Sequence, residues 1–174
     1  MKLRIKILFS LLLCGLLSCS DDDDNSSKKT NELPKNKISF EIESTKNQKK
    51  QGDCFIVVVE DYTYMISAHD GNNMEDQSFS LQFYKSFDQT ISENPPVGTY
   101  PIKGIPDLTE IDGFWVTYAD LETDLEYNNN LDGQIKITRS DNQILEGSFS
   151  FEATNYETGE SIKIINGKFT TEAF

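Results

Sequence analysis

Histidine and cysteine are nearly missing from this 174-residue chain, which holds one His, at position 69, and three Cys. A zinc site draws three or four ligands from His, Cys and carboxylate, with Cys and His at short fixed spacings, so zinc chemistry has no ligand set here. Basic side chains are also scarce, with 16 Lys and Arg against 29 Asp and Glu and a formal charge of -13. An acidic excess of that size repels phosphate backbones and anionic headgroups before contact forms, which argues against nucleic acid as a partner. The chain has no G-x-S-x-G elbow and no Gly-rich phosphate loop, so activated-serine hydrolysis and NAD- or ATP-dependent chemistry lack their motifs. The longest apolar run, Ile7 to Leu17, falls short of the roughly 20 residues that a membrane-spanning helix needs. No catalytic, cofactor-binding or metal-binding residue is assigned on these grounds.

What is present begins with three cations, Lys2, Arg4 and Lys6, followed by that apolar run and small residues, the pattern of a secretory signal over residues 1–18. The junction Leu16-Leu17-Ser18-Cys19 resembles the lipobox of bacterial lipoproteins. The resemblance implies cleavage before Cys19 and its acylation, by diacylglycerol and an amide-linked chain such as palmitate. One acyl chain holds a protein only marginally, whereas two or more give stable anchoring. Residues 19–37 then read as a solvated tether, because Asp21, Asp22, Asp23 and Asp24 repel one another and the polar stretch behind them has almost nothing to bury. Its typical reach is on the order of 25 Å. The acidic run next to Cys19 resembles the surface-export signal of Bacteroidota lipoproteins, which implies display on the outer face of the outer membrane. A plain spacer facing the periplasm is the other reading.

With Cys14 lost in the signal and Cys19 acylated, Cys54 has no partner for an intramolecular disulfide. It lies in the β-rich run Asp53 to Val59, where a free Cys is expected to act as a small buried hydrophobe.

From Ile38 to Phe174 the chain reads as one all-β domain. Short segments rich in Val, Ile, Thr, Phe and Tyr are separated by Gly, Asn, Asp and Pro. They run Ile38 to Ser44, Cys54 to Glu60, Tyr62 to Ala68, Ser78 to Ser86, Thr99 to Lys103, Phe114 to Ala119, Gly133 to Arg139, Ile144 to Ala153 and Ser161 to Thr171. Their spacing leaves little room for the crossover helices of a parallel sheet, so the expected architecture is a mostly antiparallel sandwich or barrel of about eight or nine strands. It ends in a three-stranded meander: Ile135 and Ile137 alternate with Lys136 and Thr138, Phe149 and Phe151 with Ser148 and Ser150, and Ile162 and Ile164 with Lys163. Between Trp115 and Tyr127 the pattern permits a strand, a single helical turn behind Asp120, or a loop. The run Asn128-Asn129-Asn130 reads as an exposed loop.

The span Gly133 to Ala153, the closing Thr158 to Phe169 with its Asn166-Gly167-Lys168-Phe169, and the mid-chain Gly98-Thr99-Tyr100 together resemble an uncharacterised family of small Bacteroidota lipoproteins. That resemblance implies an all-β domain and supplies no catalytic residues. The function expected is that of a lipid-anchored envelope protein, held to the membrane through Cys19, whose domain binds a ligand, a glycan or a protein without catalysis. The alternative is a small envelope glycan hydrolase using paired carboxylates. Trp115 and Tyr118 are the candidate aromatic binding surface. Two acidic stretches, Asp70 to Asp76 and Asp120 to Glu126, are candidates for calcium, although Met74 and Glu75 break the EF-hand pattern in the first.

Overall fold

In a computed structural model that describes residues 35–43, 45–59, 63–69, 77–85, 94–141 and 143–172, each of the nine alternating segments forms a strand. For 57–59, 63–69 and 77–78 the description is of backbone alone. Cys19, the run Asp21 to Asp24 and the stretch Asp70 to Asp76 lie outside the described residues.

The strands are β1 (Lys37–Ile42), β2 (Gln48–Val59), β3 (Thr63–His69), β4 (Gln77–Tyr84), β5 (Gly98–Ile102), β6 (Gly113–Asp120), β7 (Leu125–Ser140), β8 (Ile144–Asn155) and β9 (Ser161–Glu172). Antiparallel neighbours run from β1 through β4 to β6, and from β7 through β9. β9 then pairs with β1, with Ile38 opposite Phe169, so the sheet curls into a closed barrel and not a sandwich.

β5 makes the sheet mixed. The hairpin partners β6 and β7 pair only at their shared end, from Tyr118↔Tyr127 to Asp120↔Leu125. Beyond that they diverge, and β5 fills the gap, antiparallel to β7 from Gly98↔Ile137 to Ile102↔Gly133 and parallel to β6 at Ile102↔Phe114. The chain leaves β5 through one helical turn, α1 (Ile105–Leu108), which follows Gly104 with a Pro in its first positions. Leu108 from that turn is buried beside Gly113.

A ring of about eight strands encloses a space that side chains can fill completely. The described inward residues pack into that space: Phe40, Phe79, Tyr118, Phe149 and Phe151 form one aromatic group, with ring centroids 5.2 Å apart for both Phe40–Phe79 and Phe79–Phe149. Phe83, Phe114 and Tyr100 form another, at 5.0 to 5.9 Å. Room for two of the rings on the β8–β9 ladder comes from glycine. Gly147 stands opposite Phe169 and Gly167 opposite Phe149, and a Cβ on either would lie 2.6 or 2.4 Å from the facing ring.

The region left open between Trp115 and Tyr127 is a tight hairpin: Asp120 closes β6, Leu121–Asp124 turn, and Leu125 starts β7. The Asp120 carboxylate accepts a hydrogen bond from the Glu122 N–H at 3.0 Å, and Asp124 adopts a left-handed conformation (φ 57°). The acids therefore spread around a turn instead of lining one face. The expectation of a loop at Asn128 to Asn130 is corrected, since these residues lie inside β7. The ladder slips there, with Asn130 and Leu131 both facing Ala153 between the pairs Asn129↔Thr154 and Asp132↔Glu152. Asn130 adopts φ 47°, a conformation that Asn tolerates better than most residues, so the run is a β-bulge that bends the strand.

Candidate functional site

The aromatic pair expected to form a binding surface is separated by the pleat. Phe114, Val116 and Tyr118 point into the barrel from β6, and Tyr118 is 3% exposed, stacked on Tyr127 at 6.2 Å and edge-on to Phe40 at 5.7 Å. Trp115 lies on the other face, half-buried against the core cluster. Two residues three apart in a strand project to opposite sides, so Trp115 and Tyr118 cannot share one surface. That expectation is corrected.

Cys54 is buried in the barrel wall, and burial pushes its thiol up to about 12, against a lowering hydrogen bond with Thr171 and with a smaller push from Asp53. A thiol in that state is a packing group and not a nucleophile. His69 is opposite Asp53 in the β2–β3 register, while Cys54 is opposite Ala68. Among the described residues no group of three or more His, Cys, Asp or Glu is placed to hold a metal ion.

A more informative feature lies on the outside of the meander. Alternation sends Ser148 and Ser150 outward from β8 while Phe149 and Phe151 go in. Register then lines up side chains across adjacent strands: Thr99 is opposite Lys136, Lys136 opposite Ser148, and Ser148 opposite Lys168. Gln134 pairs with Ser150 in the neighbouring row. These residues line an open depression of about 500 Å³. It ends at a second bulge, where Ile165 and Asn166 of β9 together face Ser150 between the pairs Phe151↔Ile164 and Phe149↔Gly167. Asn166 takes φ 54° there, and the extra residue brings Gly167 and Phe169 back to the inward parity of Ile164. Asn166 also borders a neighbouring depression of about 440 Å³ near Ser39, Glu41 and Lys49.

Charge along this face is uneven. On β8 the two serines are bracketed by Glu146 and Glu152, each beside its own cation, Arg139 at 4.0 Å and Lys163 at 3.9 Å. Lys163 also meets Glu43 at 2.7 Å, and the Glu43 carboxylate raises its pKa. Between these pairs, Lys136 faces Thr99 and Ser148, Lys168 faces Ser148 and Ser39, and neither makes an ion pair with any described residue. The depression thus combines two ammonium groups with hydroxyl and amide side chains, and among the described residues no carboxylate lines it. Such a set can hold an anion by charge-assisted hydrogen bonds while the neutral groups bond to its surroundings.

Periodicity marks Lys136, Ser148 and Ser150 as the polar side of a hairpin and shows Lys168 only as part of the closing Asn166-Gly167-Lys168-Phe169 motif. The row they form depends on the register between three strands, which periodicity within one strand does not reveal. No family model, curated protein or solved structure matches the chain.

Proposed function

We propose that the protein is an envelope lipoprotein, akin to the small Bacteroidota lipoproteins its motifs resemble, anchored by acyl chains on Cys19 and displayed on the cell surface through the run Asp21 to Asp24. Its barrel is a non-enzymatic binding module that takes a glycan or a protein on its outer face. The observation that carries the binding reading is the depression at Lys136, Ser148 and Lys168, on a barrel whose inside is packed with aromatic and aliphatic side chains. The described inward side chains pack against one another, whereas this depression opens on the outer wall, and recognition is assigned to that face.

The hydrolase alternative needs two carboxylates flanking a substrate cleft. The depression that carries the binding reading is lined by no described carboxylate.

Two cell experiments test the anchoring. Cys19→Ala moves the protein from the membrane fraction to the soluble fraction, and an unchanged distribution contradicts the reading. Neutralising Asp21 to Asp24 removes cleavage by protease added to intact cells. Cleavage that persists assigns the run to the spacer role.

A further inference from the structure

We propose that the outer depression binds an anionic glycan, with Lys136 and Lys168 holding its carboxylate or sulfate groups and Gln134, Ser148 and Ser150 bonding to the sugar hydroxyls. The inference rests on the reading of the barrel as a binding module and names its ligand class.

Three observations carry it. The first is the pair of unmatched cations. From Ile38 onward the chain has 24 acids against 9 bases, so a lysine without an ion pair is unexpected, and here two lysines that pair with no described carboxylate line one depression. Lys37, Lys49, Lys103, Arg139 and Lys163 all have acidic partners. On β8 the outward positions flanking Ser148 and Ser150 are Glu146 and Glu152, so serine stands where the strand's own pattern would place the neutralising acids.

The second is spacing. Lys136, Ser148 and Lys168 occupy one register row on three adjacent strands. At about 4.8 Å per strand the two lysine Cα atoms are about 10 Å apart. Two charges at that distance suit a chain with repeated anionic groups better than a single small anion, which one ammonium and its neighbours would satisfy. Ile165, half-buried at the edge of the same depression, offers an apolar surface for the C–H face of a sugar ring.

The third is the closed sheet. An extended peptide docks most readily by adding to a free strand edge, through main-chain hydrogen bonds. β7, β8 and β9 are each paired on both sides at these positions: β7 between β5 and β8, β8 between β7 and β9, and β9 between β8 and β1. No main-chain edge is on offer, and recognition must run through side chains, of which hydroxyls, amides and ammoniums complement a hydroxylated anion. The domain's acidic excess opposes every polyanion at long range, nucleic acid and glycan alike, and is screened beyond about 8 Å at physiological salt; what favours a glycan is the contact chemistry, the hydroxyl and amide groups that lie between and beside the two lysines.

The test uses the purified full-length protein in detergent, titrated with polygalacturonate, dextran sulfate, neutral dextran and poly-glutamate. Binding to polygalacturonate or dextran sulfate, with neutral dextran inert, is the expected result, and the preference between the two assigns carboxylate or sulfate. Lys136→Gln and Lys168→Gln each weaken it about tenfold, the loss of one charge-assisted contact. Ser148→Glu, which supplies the missing acid, abolishes it, while Lys85→Gln changes nothing. All four positions are at least partly exposed, and unchanged thermal melts confirm that the variants fold. Absence of binding to both anionic glycans, binding that survives both lysine changes, or equal binding of poly-glutamate overturns the proposal. Lysine-independent binding of neutral dextran overturns it while leaving the binding-module reading intact, and the Cys19→Ala fractionation reports on the anchor whatever the titration gives.

Discussion

Gly167 on β9 stands directly opposite Phe149 on β8, and a Cβ built on the glycine would lie 2.4 Å from the phenyl ring. The ring occupies the space that a side chain would take, and the Ile165–Asn166 bulge delivers the glycine to the inward face. Gly167→Ala is expected to destabilise the protein by about 1–3 kcal/mol through overpacking. In a Phe149→Leu background, where the facing side chain is smaller and more adaptable, the same change costs less. Urea denaturation of the four proteins in this double-mutant cycle gives a coupling of at least about 0.5 kcal/mol if the contact is the cause, and strict additivity contradicts it.

Asn155, 5% exposed at the end of β8, ties two hairpins together. Its amide N–H donates to the Glu126 carbonyl at 2.8 Å, and its Oδ1 accepts from the N–H groups of Glu157 and Thr158 at 2.9 and 2.8 Å. Asn155→Ala leaves the Glu126 carbonyl without this donor and the turn without its acceptor, a loss of about 1–3 kcal/mol. Hydrogen exchange checks the mechanism: the Glu157 and Thr158 amides exchange faster in the variant than in the parent, and unchanged rates contradict it.

Cys54 is expected to be chemically silent while the barrel is intact, since burial lifts its pKa to about 12. With Cys14 and Cys19 replaced by Ser, the full chain shows no reaction with a disulfide reagent at pH 8 and one thiol per chain in denaturant. Fast labelling of the folded protein contradicts the burial.

The Asp141 carboxylate is held down to about 2 from an ordinary 3.8 by the Arg139 guanidinium and two turn N–H groups. A lowered folded-state pKa contributes stability that is fully present above 3.8 and is lost as pH falls towards 2. Thermal melts of the parent and of Asp141→Ala therefore differ at pH 5 to 7 and converge near pH 2. A constant difference across that range contradicts the assignment.

Much of this barrel was legible because its strands alternate cleanly. Phe149 and Phe151 against Ser148 and Ser150 state which face is buried, and Phe83 with Tyr84 and Phe114 with Trp115 divide inward and outward as adjacent strand residues must. The same rule, applied to Trp115 and Tyr118, would have placed them on opposite faces. Other features were hidden for physical reasons. Asn128 to Asn130 has the composition of a loop and the conformation of a bulge, and only the ladder with β8 shows the difference. β5 enters a gap created by the divergence of β6 and β7, a long-range event with no local signal. Lys136 and Lys168 are 32 positions apart and meet through Ser148 only because two registers are fixed at once.

The central claim, that this barrel is carried at the envelope by a lipid on Cys19, is tested most directly by intact-mass and peptide mass spectrometry of the protein purified from membranes. The account predicts a mature chain that begins at Cys19 and bears acyl chains on that residue. A chain that begins elsewhere, or one with Cys19 present as an unmodified thiol, contradicts it.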